Sequence, residues 1–215
     1  MDGRVKTINP LIGGGILGLR DEHFEEAKTN NIKWIDLVIC NLYPFSKAIS
    51  QEGCDLAFAL ENIDIGGPTM VRAAAKNIGW ACVCIDPKDY SIITEELSSS
   101  CELTFNTRKK LAVKAFGHTA QYDAIVHSYL KEELFPNSFS PTYYKHSELR
   151  YGENPHQRSA AYQNTLNESN NVLSAKMHQG KKLSYNNIMD ADAALACLKE
   201  LNDIACVVVK HANPC

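Results

Sequence analysis

Two short runs of nearly unbroken apolar residues stand out: Ile35-Asp-Leu-Val-Ile-Cys-Asn-Leu-Tyr43 and Trp80-Ala-Cys-Val-Cys-Ile85. Runs without polar alternation suit parallel strands covered on both faces. Between them, residues 54–62 read as a helix and residues 68–76 as another, with Pro68 at or near the first helical position, where its missing N–H is harmless. After Asp86-Pro87-Lys88-Asp89-Tyr90 the pattern predicts a short helix, a break at Ser98-Ser99-Ser100, and then a long helix. In that long helix Leu111, Ala115, His118, Tyr122, Ile125 and Tyr129 recur at steps of four and three, one amphipathic stripe. Gly117 within it sacrifices up to ~1 kcal/mol relative to Ala, which predicts a neighbour that excludes a side chain. Phe135-Pro-Asn-Ser-Phe-Ser-Pro141 reads as a linker. Beyond it come a polar loop over 164–171, a helix near 190–201 and a strand over 205–209. Alternating strands and helices in the first 130 residues indicate an α/β layer fold. No internal repeat is visible.

Charge and composition narrow the class. The 215 residues are 45% hydrophobic and 22% charged, and 22 Lys+Arg against 25 Asp+Glu leave a net charge of −3. These are globular proportions, enough for one large domain or parts of two. A slightly acidic chain without a basic block argues against nucleic acid and anionic membrane as partners. No apolar stretch reaches the ~18 residues of a membrane span, and Met1-Asp2-Gly3-Arg4 is no secretory leader, so the expected location is cytoplasmic. Of the eight cysteines, Cys40, Cys82, Cys84 and Cys206 sit in Val/Ile-rich runs, where a free thiol behaves as a small buried hydrophobe. No Cys/His spacing suits zinc, and no metal is expected. Both ends read as cut, the strand over 205–209 having nothing after it to cover its faces. The chain is expected to be the middle of a longer protein, because the last ~65 residues would hardly bury a core alone.

Several segments have the residue types of a site. Ile63-Asp64-Ile65-Gly66-Gly67-Pro68-Thr69 opens a helix; two glycines allow close backbone approach, and free N–H groups with the helix dipole favour an anion. A plain Gly-Gly turn with Asp64 near a helix start reads equally well. Lys76 is by default a solvated lysine at a helix C-terminus. Arg4, Lys6 and Thr7 alternate with Val5 and Ile8, either a phosphate grip or a surface edge strand. Asn41 and Tyr43 end a presumed parallel strand, the edge where α/β sheets place ligands. Leu149 to Gln157 packs polar and turn-forming residues without a helical or strand period, at a high desolvation cost if ordered without a ligand. Lys210-His211 follows an apolar strand and pairs a cation with a near-neutral base, or is simply a polar terminus.

In combination these segments resemble one family, the bifunctional purine-biosynthesis enzymes that join AICAR transformylase to IMP cyclohydrolase. The matching strings, in family order, are Asp2-Gly-Arg-Val-Lys-Thr7, Cys40-Asn-Leu-Tyr-Pro-Phe45, Glu61-Asn-Ile-Asp-Ile-Gly-Gly-Pro68, Arg72-Ala-Ala-Ala-Lys-Asn77, Lys114-Ala-Phe-Gly-His-Thr-Ala-Gln-Tyr-Asp123, Leu149 to Gln157, Leu183-Ser-Tyr-Asn-Asn187 and Val209-Lys-His-Ala-Asn-Pro-Cys215. The resemblance implies a partial cyclohydrolase domain of methylglyoxal-synthase-like fold over residues 1–130, a linker over 131–148, and the start of a cytidine-deaminase-like transformylase domain, without zinc, over 149–215.

It further implies nucleotide binding by Arg4, Val5, Lys6, Thr7, Cys40, Asn41, Asp64, Ile65, Gly66 and Gly67. Lys76 matches the proton donor and acceptor of ring closure, with Tyr43, Asp64 and Lys6 around the reacting groups. In the second segment Arg150, Tyr151 and Asn187 match AICAR contacts, His211 the proton acceptor and Lys210 the transition-state stabiliser. The implied ligands are AICAR, formyl-AICAR and IMP, with 10-formyltetrahydrofolate as formyl donor, and the implied assembly is a homodimer. The chain departs from the family where Asn9 and Gly13 replace two histidines, and where the family's N-terminal strand and Ser/Lys phosphate loop are missing. A non-catalytic nucleotide- or phosphate-binding module, or an inactive gene fragment of the same family, are the alternatives. A sensor would need the phosphate grip but not the set Lys76, Asp64 and Tyr43.

Overall fold

In the computed structural model residues 9–164 and 171–215 are described. Arg4, Val5, Lys6 and Thr7, and most of the polar loop expected over 164–171, lie outside the described residues. The chain divides into two units, Met1–Ser140 and Pro141–Cys215.

In the first unit, helices Pro10–Leu17 (α1) and Phe24–Thr29 (α2) precede strand Leu37–Ile39 (β1). Helices Phe45–Ile49 (α3), Leu56–Glu61 (α4) and Gly66–Lys76 (α5) lead to strand Cys82–Cys84 (β2), and helices Tyr90–Ser100 (α6) and Phe105–Leu130 (α7) follow. Local chemistry starts several of these helices. Asn9 Oδ1 accepts from Leu11 N at 2.9 Å to cap α1, Asp55 Oδ1 accepts from Phe58 N at 2.8 Å to cap α4, and Thr104 caps α7 through Thr107 N. Each such cap is worth ~1 kcal/mol.

The two apolar runs form a parallel pair with Leu37 beside Cys82, Val38 beside Val83 and Ile39 beside Cys84. Alternation along β2 explains its unbroken hydrophobicity. Val83 joins Val38, Val71, Ala74, Ala75, Ala112 and Ala115 on one face, whereas Cys82 and Cys84 pack with Ile93 and Leu111 on the other. The alanines of α5 and α7 let these helices approach closely. A second cluster joins Phe45, Ala59, Tyr122 and Ile125, with Tyr122 edge-on to Phe45 at 6.3 Å. Arg20 closes the rim: its guanidinium lies 5.9 and 5.8 Å from the Trp34 and Trp80 ring centres and pairs with Asp36 at 2.8 Å.

Some expectations need correction. Helix α5 begins at Gly66, two residues before Pro68. The serines do not break α6, because the Ser99 and Ser100 hydroxyls donate to the Glu96 carbonyl and stay helical; the break falls at Cys101, with φ 57°. Among the described residues nothing lies within 4 Å of a side chain added at Gly117, so none of them excludes one there.

The second unit pairs Tyr144–Glu148 (β3) antiparallel with Ala160–Gln163 (β4), then forms helix Tyr185–Lys199 (α8) and a hairpin of Val209–Lys210 (β5) with Asn213–Pro214 (β6). Helix α8 starts five residues before the expected 190. The apolar run 205–209 is not a strand except at Val209, and Cys206 is exposed rather than buried. Among the described residues of this unit only Gly152, Ala161 and Ser184 are buried, so the run has no surface to pack against.

Candidate functional site

The two parallel strands end together, at Ile39 and at Cys84. The final rung is Cys40 N donating to the Cys84 carbonyl at 3.0 Å. Just beyond it, Asn41 Nδ2 donates to the Ile85 carbonyl at 3.1 Å, bridging the strand ends. Tyr43 follows, 60% exposed and open to a ligand.

Asp64 organises this edge. Its Oδ1 accepts from Gly67 N at 2.8 Å and its Oδ2 from Tyr43 N at 3.3 Å, so one carboxylate ties the start of α5 to the end of β1. The α5 N-terminus therefore already holds an anion, the chain's own. A side chain at Gly67 would stand 2.5 Å from Asp64 Oδ2 and 2.8 Å from Leu42 Cδ2, which explains the second glycine better than free space for a phosphate does. Burial, reinforced by Asp64, pushes the Cys40 thiol up, so it is a neutral S–H at physiological pH.

Tyr122, which the sequence places on an amphipathic stripe and within the matching string Lys114–Asp123, supports Asp64 from behind. Its hydroxyl accepts from Asp64 N at 2.8 Å and lies 3.4 Å from the Asn62 carbonyl. Helix periodicity showed that Tyr122 faces inward; it carried no sign that the hydroxyl reaches a loop 58 residues earlier.

Tyr43, Asp64, Ile65, Gly66 and Gly67 are thus brought together with Cys40 and Asn41. Lys76 is not. Helix α5 has 11 residues, and at 1.5 Å per residue its ends stand about 15 Å apart. Lys76 is exposed at the far end, beside Asn77, whose Nδ2 donates to the Ile16 and Gly18 carbonyls. Of the two positions that depart from the histidine pattern, Asn9 is the α1 cap and Gly13 lies in α1, where no described residue stands within 4 Å of an added Cβ.

In the second unit the first turns of α8 organise the candidates. Arg150 N donates to the Leu183 carbonyl at 2.9 Å, and Tyr185 N donates to the Tyr151 carbonyl at 3.1 Å. The Arg150 guanidinium stacks 4.8 Å from the Tyr151 ring and donates to its hydroxyl. The segment 149–157, expected to need a ligand, is ordered by its own bonds, Gly152 N to the Gln157 carbonyl and Asn154 N to Gln157 Oε1, both at 2.8 Å. Asn187 Oδ1 accepts from the Ser184 amide and hydroxyl in a reciprocal cap of α8, so its carbonyl oxygen serves the helix start. His211 and Ala212 form the hairpin turn at φ 52° and 59°, and Ala212 N docks on Asp190 Oδ1 at 2.8 Å. Tyr185 and Asp190 are about 7.5 Å apart along the helix axis, so one short stretch of α8 places both pairs. A groove of about 610 Å³ in this unit is lined by Arg150, His156 and Arg158, among others.

Among the described residues, no three His, Cys, Asp or Glu side chains cluster as metal ligands, and no helix is long and apolar enough to cross a membrane.

A family model described as the AICARFT/IMPCHase bienzyme matches residues 74–215, and one described as an MGS-like domain matches residues 1–69. The bifunctional purine biosynthesis protein PurH of Acetivibrio thermocellus is 47% identical over 221 residues, and that of Listeria monocytogenes serotype 4b is 50% identical over 220. Each alignment takes in 100% of this chain but 43% of the relative, so the chain spans less than half the length of the curated proteins it matches. The crystal structure of ForH superposes with a TM-score of 0.53 at 37% identity, over 59% of this chain and 66% of that one. The parallel sheet with its flanking helices agrees with the α/β fold of an MGS-like domain, followed by the start of the transformylase part. Matched over most of its length by the family model and along all of it by these relatives, the chain belongs to the AICARFT/IMPCHase bienzyme family.

Proposed function

We propose that this chain supplies residues for the last two steps of purine nucleotide synthesis: formyl transfer from 10-formyltetrahydrofolate to the AICAR amine, then closure of formyl-AICAR to IMP with loss of water. The observation that carries the reading is the Asp64 bridge, which ties Tyr43 N to Gly67 N at the sheet edge that also carries Cys40 and Asn41, in a chain of this family.

In ring closure the carboxamide nitrogen of formyl-AICAR attacks the formyl carbon and loses one proton, the formamide nitrogen loses a second as its C=N bond forms, and the formyl oxygen leaves with both as water. An amide nitrogen is a poor nucleophile, so proton transfer and close placement dominate the barrier. In this proposal Lys76 is the proton donor and acceptor. Tyr43 and Asp64 flank the reacting groups, and Arg4, Val5, Lys6 and Thr7 hold the phosphate with Lys6 near the chemistry. Residues 1–130 serve this step. From 149 onward, Arg150, Tyr151 and Asn187 contact AICAR, His211 accepts the amine proton and Lys210 stabilises the developing charge. The protein works in the cytoplasm as a homodimer.

The test is single-turnover cyclization of formyl-AICAR, comparing wild type with Lys76→Ala and Asp64→Asn. Lys76→Ala should slow closure by at least the ~10²-fold typical of one general acid/base. Unchanged turnover removes Lys76 and leaves Asp64 and Tyr43 as the working groups. The comparison is informative because the length of α5 keeps Lys76 from Asp64.

A further inference from the structure

The loop after β2 is held by charges that the proposed chemistry does not use. Lys114, on α7, donates through Nζ to Asp86 Oδ2 and to Asp89 Oδ2, both at 2.7 Å. These side chains are all partly shielded, at 39%, 30% and 21% exposure. Asp86 Oδ1 accepts from Lys88 N at 3.0 Å, closing the turn, and Cys84 Sγ points at the Asp86 carbonyl, 3.4 Å away. Ile85 is therefore fixed on both sides, by the strand before it and the clamped turn after it. Its carbonyl is the group that accepts from Asn41 Nδ2.

This chain of contacts decides which way the Asn41 amide faces. With Nδ2 committed to Ile85, the oxygen Oδ1 is what an exposed Asn41 offers to solvent or ligand. A carbonyl oxygen accepts from ligand N–H or O–H groups and rejects a ligand that presents only acceptors there.

We propose that Lys114 is a positioning residue: by clamping Asp86 and Asp89 it holds the Ile85 carbonyl that keeps Asn41 Oδ1 turned toward a nucleotide. The inference rests on the nucleotide-site reading given above. Without the ammonium the two carboxylates repel, the turn opens, and the Asn41 amide is free to rotate.

The experiment measures IMP binding to the full chain by calorimetry, with side-chain amide resonances of ¹⁵N-labelled protein recorded without ligand. Lys114→Met should weaken IMP binding about tenfold, the scale of one well-placed hydrogen bond. It should also shift the Asn41 side-chain amide pair, assigned by its loss in Asn41→Ala. Lys114→Arg, able to span both carboxylates, should restore most of the affinity. Lys109→Met, the same charge change on an exposed site of the same helix, should alter neither readout. In an Asn41→Ala background Lys114→Met should have no further effect, which a merely structural role would not produce.

Equal losses from Lys114→Met in both backgrounds, or unmoved Asn41 resonances, overturn the inference. Absence of IMP binding by the wild-type chain would instead overturn the nucleotide-site reading, and the ligand-free resonances alone would then decide whether Lys114 orients Asn41.

Discussion

Gly67→Ala sets two effects of opposite sign against each other at the centre of the site. Gly67 lies in the first turn of α5, and replacing a helical glycine with alanine stabilises by at most ~1 kcal/mol. Against that, the new methyl would sit 2.5 Å from Asp64 Oδ2 and 2.8 Å from Leu42 Cδ2. The leucine methyl ends a flexible side chain and can move away cheaply. The carboxylate cannot, because it bridges Gly67 N and Tyr43 N. Displacing it weakens two hydrogen bonds to a charged group, each worth ~1.5–3 kcal/mol. The half-buried setting of Asp64 and the long 3.3 Å bond to Tyr43 favour the low end of that range.

The loss of ~2–3 kcal/mol exceeds the propensity gain, and the net change is destabilising by about 1–2 kcal/mol. For a unit of this size the Tm should fall by roughly 5 °C. Thermal denaturation followed by circular dichroism measures this directly, and the decisive comparison uses the Asp64→Ala background. There the clash partner is gone, and Gly67→Ala should become neutral or stabilising. A higher Tm for Gly67→Ala in the wild-type background, or the same loss in both backgrounds, would refute the claim that this glycine exists to make room for the Asp64 bridge.

Gly117→Ala should do the reverse: no described residue lies within 4 Å of the added methyl, so Tm should rise by about 2–4 °C, and a fall would show that some surface crowds this position when the protein is assembled. Acid should destabilise the first unit in two stages, read from Tm against pH. Burial holds the His118 imidazole below its ordinary value, so the folded state takes up its proton later than the unfolded chain does. That contribution is complete above about pH 6.5 and is lost as pH falls toward the folded value, a decline that His118→Gln should remove. The carboxyls of Glu96, held down by Thr107 and Thr104, and of Asp86, held down by Lys114 and the Lys88 amide, contribute above the ordinary carboxylate range. Their contribution is lost below about pH 4, a second decline that His118→Gln should leave in place.

What was legible in the sequence is what repeats. The strand core Cys82–Cys84, with Val38 beside it, and the inward positions of the α7 stripe announce themselves because neighbouring residues of the pattern are buried for the same reason. Boundaries were less legible where one side chain overrides the pattern. The run Ser98–Ser100 looks like a break, yet hydroxyls bonded to the Glu96 carbonyl keep it helical until Cys101 turns left-handed. Site membership was legible only in part. Asp64, Gly67 and Tyr43 are close enough in kind and order to be grouped, whereas Tyr122 meets the Asp64 amide and Lys114 meets the Asp86 and Asp89 carboxylates across sequence separations that no spacing rule reaches.

The run over 205–209 shows the limit most plainly. Its hydrophobicity is real, but hydrophobicity predicts a buried strand only where a partner surface exists. Among the described residues of the second unit three buried ones make no such surface, and the two-residue hairpin strand Val209–Lys210 is what the backbone builds instead. The hairpin's turn carries the same message. His211 and Ala212 both hold positive φ, a conformation that disfavours non-glycine residues and costs on the order of 1 kcal/mol or more each. Asp190 offsets part of that by accepting from Ala212 N. The unit therefore maintains strain at the turn His211-Ala212 while burying few of its described residues.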